Sequence, residues 1–529
     1  MTAVRWIELC LSGLIVSCPP VCLEAQATSA VSTTSEWGSA GNGLSDNWSQ
    51  PAETLINVSN ARSLVRKWAF ATGGDVSATP TVIGGAVYFP DWAGNLYAVN
   101  SATGTLKWSH KIADYDGLSG SLSRTSPAIS GNMLIIGDHT QRVEMHAGAN
   151  VIGVNRSTGA LVWKTLVESH SAAIITGSPL VASGVVYVGV SSYEEAFAKQ
   201  SGYACCTFRG SVIALNVNTG KKIWQTYVVP DNFGNAGGYS GGAIWQPPAI
   251  DLTRKLLYIG TGNNYSVPAS VELCEQAGVK AGKDPNCTAS TDHFDSALAL
   301  NLADGSIKWS TRTTRWDANN EACGTTPPGF NCPSPPGPDI DLGGDGPNLV
   351  GSLVVFGQKN GVLRAYNADT GTPVWATAVG PGGDLGGIMW GTASDGKRIF
   401  VPIANSRHKT YKLAPSGISI TWGAWSAVDA QSGKILWQTA DPIAGSLDVS
   451  SASVANGVLY VGSLDKLGHM YALNAATGAV LWSYASGGSV IDAPSIVNGV
   501  LYWGSGYRRY GGIGATGNHK VYAFSLPGH

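Results

Sequence analysis

Charge is scarce in this chain: Asp, Glu, Lys and Arg make up only 13% of its 529 residues and cancel to a net -2. No basic field exists to neutralise a nucleic-acid backbone, which excludes a partner of that kind. Long apolar runs are lacking too. After the first 25 residues none approaches the ~20 needed to cross a bilayer, so no transmembrane span is expected. A c-type haem motif is also missing, because CPPVCL has the wrong spacing and no following His. What abounds instead is Gly (68), Pro (26) and Trp (18), with 44% hydrophobic residues. That is the composition of a turn-rich all-β protein with a large core.

The N-terminus reads MTAVRWIELCLSGLIVSCPPVCLEAQA. One Arg precedes an apolar stretch, broken by Pro19 and Pro20, that ends in Ala25-Gln26-Ala27, a small-x-small pattern; Glu8 is out of character within it. The pattern predicts a signal peptide over residues 1–27 and a secreted protein, extracellular or periplasmic. Its removal takes away Cys10, Cys18 and Cys22 and leaves six cysteines in an oxidising compartment. Cys274 with Cys287, and Cys323 with Cys332, are local pairs inside Gly/Pro-rich loops. Cys205 and Cys206 are then left for each other. The alternative joins each of them to a loop cysteine.

One pattern recurs along the chain. LYAVNSATGTLKW ends at Trp108, VIGVNRSTGALVW at Trp163, VIALNVNTGKKIW at Trp224 and ALALNLADGSIKW at Trp309. LRAYNADTGTPVW ends at Trp375, WSAVDAQSGKILW at Trp437 and MYALNAATGAVLW at Trp482. Each copy is an alternating strand, a tight turn and a short strand closing on Trp, with another strand pair upstream. Four strands per repeat is the signature of a propeller blade. The chain finishes on VYAFSLPGH, a half-repeat without its Trp strand, and LVRKW near the N-terminus, ending at Trp68, supplies the missing half. The expectation for residues 28–529 is a single eight-bladed β-propeller domain closed by its two terminal strands, with the tryptophans as packing residues between blades. Function belongs where the ring departs from its repeat. Insertions stand in blade 3 (SSYEEAFAKQSGYACC), in blade 4 (NNYSVPASVELCEQAGVKAGKDPNCTASTDHF) and in the connection to blade 5.

Five local signatures sharpen this picture: CCTFRG, GAIWQPPAIDLTRKLLYIGTGN, GVSSYEE, TTRWDANN, and SRTSPAI with GQKNG. With them, the chain from EWGSAGNGLSDNW to its end resembles the quinoprotein alcohol dehydrogenases that use pyrroloquinoline quinone (PQQ), in their polyvinyl-alcohol-dehydrogenase-like branch. The resemblance implies that a Cys205–Cys206 disulfide lies flat on one face of the quinone and that Trp245 stacks on the other. It implies a calcium ion, which favours hard oxygen ligands, held by Glu194 and Asn263 with Asp317 beside them; Glu195 is the alternative to Glu194. Asp317 matches the family's catalytic aspartate, which takes the substrate hydroxyl proton as hydride leaves the same carbon. Thr176 and Ser191 fall where the cofactor's rim would be hydrogen-bonded. Arg124 and Lys359 supply cations for its three carboxylates, and Trp390 stands above the substrate position.

The function implied is oxidation of a primary or secondary alcohol, polymeric substrates included, to a carbonyl. Lacking a fused haem domain, such a chain passes electrons to an external acceptor such as a cytochrome c. A different reading is a non-catalytic secreted scaffold that binds proteins on its rim. A third, a carbohydrate-binding propeller, requires a rim of solvent-facing aromatics.

Overall fold

The computed structural model of the protein describes residues 35–529 except 142, 143, 284 and 384. The expected signal segment therefore lies outside the described residues. Each repeat forms an antiparallel four-stranded sheet. Blade 1 consists of Thr81–Ile83, Ala86–Pro90, Asn95–Asn100 and Leu106–Lys111. The same order recurs to blade 7, which consists of Ala452–Ala455, Val458–Gly462, His469–Asn474 and Val480–Ala485. Blade 8 takes Ser495–Val497, Val500–Ser505 and Lys520–Ser525 from the C-terminus and its outermost strand, Val65–Ala71, from the N-terminus. The fold is an eight-bladed β-propeller, closed as the repeats imply.

The repeated Trp explains how one blade holds the next. Each faces a small residue across its own ladder: Trp68 opposite Ala523, Trp108 opposite Ala98, Trp163 opposite Gly153, Trp224 opposite Ala214. The missing bulk leaves room for the indole to lean onto the neighbouring blade. There its N–H donates to a turn carbonyl, Trp68 to Ser101, Trp108 to Arg156, Trp224 to Leu302 and Trp309 to Ala368, at 3.0 to 3.1 Å. Trp482 completes the circuit by donating to Leu64 at 3.0 Å. The turn glycine beneath each indole has no substitute. A Cβ on Gly220 would sit 2.4 Å from the Trp163 ring, and its φ of +67° is one that side chains resist.

The first strands of neighbouring blades touch and so line the axis. Residues 37–50 run round one end of that axis. Trp37 bridges Val82 of blade 1, Gly38 accepts from Ile129, Leu44 from Ile250, Ser45 from Leu349, Asn47 from Ser394 and Trp48 from Val454. Buried Trp48 seals the hub at this end. The opposite end receives every connection that enters a first strand or joins a second to a third. All three insertions belong to those connections, which makes it the mouth of the ring. Among the described residues no helix is long and apolar enough to cross a membrane.

Candidate active site

Arg124, Thr176 and Trp245 occupy one repeat position. Each stands four residues before the first strand of its blade, Ala128–Ser130, Leu180–Ala182 and Ala249–Asp251. The propeller turns that register into a ring of side chains round the mouth. Trp390, three residues before the first strand of blade 6, joins them. Arg124, Thr176 and Trp390 line a narrow axial cleft of about 40 Å³, together with Trp48.

Around Trp245 the geometry is compact. Its ring meets Trp390 edge to face, centroids 5.4 Å apart, and Arg124 lies over the Trp390 ring at 4.1 Å. The Lys359 ammonium sits 5.4 Å from the Trp245 centroid. Thr176 donates to the Trp245 carbonyl at 3.3 Å. Trp245 also packs against the apolar cluster that contains Cys205 and Cys206, which are joined to each other as expected. The other expected pairs, Cys274–Cys287 and Cys323–Cys332, form too and tie down the insertions. Gly344 faces the Trp245 edge, where even a Cβ would come within 3.6 Å. An indole flanked by a disulfide, a second indole and two cations suits a flat, anionic ring system.

The acidic side of the site lies beside Asn263. Asp317 is completely buried, and its carboxylate accepts from the N–H groups of Asp339, at 2.9 Å, and Ile340, at 2.7 Å. Gly337 permits that approach, since a Cβ there would lie 2.3 Å from Asp317 Oδ1. Burial, with Asp341 nearby, pushes the Asp317 carboxyl up to about 7 against those hydrogen bonds. Asp295, also fully buried and absent from the sequence expectations, is a second carboxyl beside Asp317; burial and Asp317 hold it well above the usual carboxylate range. The Asn263 N–H donates to Asp341 Oδ1 at 2.6 Å, and its amide nitrogen donates to the carbonyls of Asn264 and Asn319. Both donor hydrogens are thereby used, which leaves the amide oxygen as the side chain's outward group.

The two neighbouring glutamates part company. Glu194 Oε1 accepts from the Thr207 N–H at 2.8 Å and the Tyr203 hydroxyl at 3.0 Å, with His170 Nε2 at 3.3 Å, and Oε2 accepts from the Phe208 N–H at 2.7 Å. Burial alone would raise its carboxyl, but His170 and the backbone donors hold it below the ordinary value. Glu194 thereby anchors the CCTFRG loop through both of its oxygens. Glu195 instead faces Lys359, Asp339 and Asp341, and burial pushes its carboxyl up to about 8.

Lys359, expected as a cation for the cofactor, stands beside Trp245 and also pairs with Asp339 at 2.8 Å and Asp341 at 2.7 Å. Ser191 lies on a strand paired to Ala173–Ile174 at the same mouth. Among the described residues no three His, Cys, Asp or Glu side chains are arranged to hold a metal ion. A cation here would draw on amide oxygen as well as carboxylate, a donor set suited to calcium.

The sequence expectations also missed an aromatic bowl at the mouth. Trp92 meets His139 and Tyr507 edge to face, and Tyr193 meets His139 in the same way. Arg509, from a blade 8 insertion, reaches across to the Tyr193 hydroxyl.

Comparison with known proteins gives a consistent outcome. The PQQ_2 family model, described as outer membrane protein assembly factor BamB, matches residues 65–202, 209–388 and 423–524. The polyvinylalcohol dehydrogenase of Sphingopyxis sp. is 29% identical over 96% of this chain and 79% of its own length. The quinoprotein alcohol dehydrogenase PedH of Pseudomonas putida is 23% identical, covering 87% of this chain and 84% of its own. Among solved structures, the quinohemoprotein alcohol dehydrogenase from Comamonas testosteroni superposes with a TM-score of 0.68 at 18% identity, over 93% of this chain and 81% of that one.

Proposed function

Since the chain belongs to the PQQ_2 family and, within it, to the PQQ-dependent alcohol dehydrogenases akin to polyvinylalcohol dehydrogenase, we propose that it oxidises primary or secondary alcohols to carbonyls with PQQ and calcium. The observation that carries this reading is the placement of Trp245. It sits at the mouth of the hub, against the cluster of the Cys205–Cys206 disulfide and beside the Arg124-covered Trp390.

When bound, the quinone with its calcium ion supplies the two-electron acceptor and the Lewis acid. The chain's own part is orientation, charge and proton handling. Trp245 and the disulfide would hold a planar ring, and Thr176 and Ser191 would stand near its rim. Arg124, with no ion-pairing partner among the described residues, would receive a carboxylate. Asn263 and Glu195 would offer oxygens to calcium, with Glu195 taking the place first expected of Glu194. Asp317, whose carboxyl burial pushes up to about 7, would accept the substrate hydroxyl proton at its carboxylate. Electrons leave to an external acceptor such as a cytochrome c, and residues 1–27 direct the mature domain, 28–529, out of the cytoplasm. The family's description as an outer membrane protein assembly factor favours one other reading, an assembly scaffold. A scaffold has no use for an indole set beside Trp390 and the Lys359 ammonium.

The test is reconstitution of the purified chain with PQQ and calcium, followed by dye reduction with a panel of alcohols. Turnover of at least one alcohol is expected, and loaded protein that oxidises none of them overturns the proposal. Asp317→Asn should lower kcat about 10²- to 10⁴-fold, while quenching of tryptophan fluorescence by the quinone persists.

A further inference from the structure

The mouth carries more positive charge than the fold uses. Arg124 and Arg509 lie 5.9 and 5.2 Å from the centroid of one indole, Trp92. Neither has an Asp or Glu within ion-pairing distance among the described residues. Arg509 is braced instead by neutral groups: it donates to the Gln141 carbonyl at 3.3 Å and to the Tyr193 hydroxyl, and stacks 5.2 Å from the Tyr193 centroid. His139, fully buried between them, is held neutral, first by burial and then by both guanidinium groups. Tyr510, next along the insertion, meets Tyr507 edge to face at 5.0 Å, and Tyr507 in turn meets Trp92, which puts this strap over the same opening.

Two like charges sharing one aromatic bowl repel each other, and among the described residues no carboxylate offsets that cost. Lys359, by contrast, is doubly neutralised. A guanidinium held by aromatic faces, its fork pre-set and its charge uncompensated, is the arrangement that captures a carboxylate bidentately. We propose that Arg509, with Arg124, forms a carboxylate-binding site at the mouth of the ring. It would take either a carboxylate of the bound quinone or a carboxylate carried by the alcohol substrate. The proposal rests on the dehydrogenase reading for what enters the mouth. It goes beyond that reading in assigning Arg509 and in favouring anionic alcohols if the second source holds.

The experiment uses the full mature chain with Arg509→Met, which keeps the stacking stem and removes the charge. Quinone affinity is measured by tryptophan quenching in calcium. KM is then measured for two probes of equal length, 1-hexanol and 6-hydroxyhexanoate. If the quinone is the source, its Kd rises about tenfold to a hundredfold and the KM ratio of the two alcohols is unchanged. If the substrate is the source, quinone Kd is unchanged and KM rises by a similar factor for 6-hydroxyhexanoate alone. If neither moves, Arg509 serves only to brace Tyr193 and the inference is overturned. Should the methionine variant fail to fold, Arg509→Lys keeps charge and loses the fork, and the same readouts apply with a smaller shift. Wild-type protein that binds no quinone would sink the dehydrogenase reading itself, an outcome separate from these.

Discussion

The belt of tryptophans and the mouth of the ring are built from the same repeat and obey opposite rules. In the belt every described partner comes from the adjoining blade: Trp309 Nε1 finds the Ala368 carbonyl, Trp437 the Ala475 carbonyl and Trp482 the Leu64 carbonyl. Each of these indoles has its N–H satisfied by a backbone carbonyl. At the mouth, Arg124 and Arg509 lack ion partners among the described residues, Glu195 is pushed towards protonation, and Asp295 and Asp317 crowd each other. Groups that hold the fold together are satisfied by the fold. Groups that the fold leaves strained in charge are the ones awaiting something from outside.

The comparison can be broken by mutation. The largest expected effect on stability is in the belt. Trp309→Ala should cost about 3–5 kcal/mol in urea denaturation, with quinone affinity of the folded fraction unchanged. If affinity fell as steeply as stability, belt and mouth would not be separable. The adjacent glutamates give a finer cut. Glu194→Gln removes charge-assisted acceptors from the Thr207 and Phe208 amides and should cost about 1–3 kcal/mol of stability. Glu195→Gln should leave stability within about 0.5 kcal/mol and weaken calcium binding about 10- to 100-fold. Reversed results would return the metal to Glu194.

The smallest effect is that of pH. Burial pushes the carboxyls of Asp138, Asp292 and Asp345 up to about 7. Each binds its proton more tightly folded than unfolded. Its contribution is therefore complete below the ordinary carboxylate value, about 4, and is lost as pH rises to about 7. The melting temperature of the metal-free protein should therefore be lower at pH 8 than at pH 5. A higher one would mean these carboxyls have cationic partners when ionised.

Legibility followed the same divide. The belt could be read because one physical problem, an indole needing a small residue beneath it and a carbonyl beside it, is solved in the same way in blade after blade. That repetition also revealed Trp68 as the strand the last blade lacked. Arg124, Thr176 and Trp245 were singled out only through the family resemblance, and their shared register emerged with the fold; the cysteine pairs were legible because their partners are close in sequence. Glu194 and Glu195 could not be separated. They open one short helical turn, Glu194–Phe197, and which of them is swallowed depends on amides at 207 and 208, beyond an insertion. The pairing of Lys359 depends on Asp339 and Asp341, from a loop entering its own blade. Arg509 sits in an insertion with no counterpart in other blades, so no pattern pointed to it.

The strand Val65–Ala71 is made early, yet its partner, Lys520–Ser525, is made only after seven blades lie between them. Until that partner emerges, the ring is an open arc with an unpaired edge at each end. The closed hub then exists only in chains that carry both strands. A prematurely terminated product would be left with sticky edges and no working cup, a quality check imposed by topology alone.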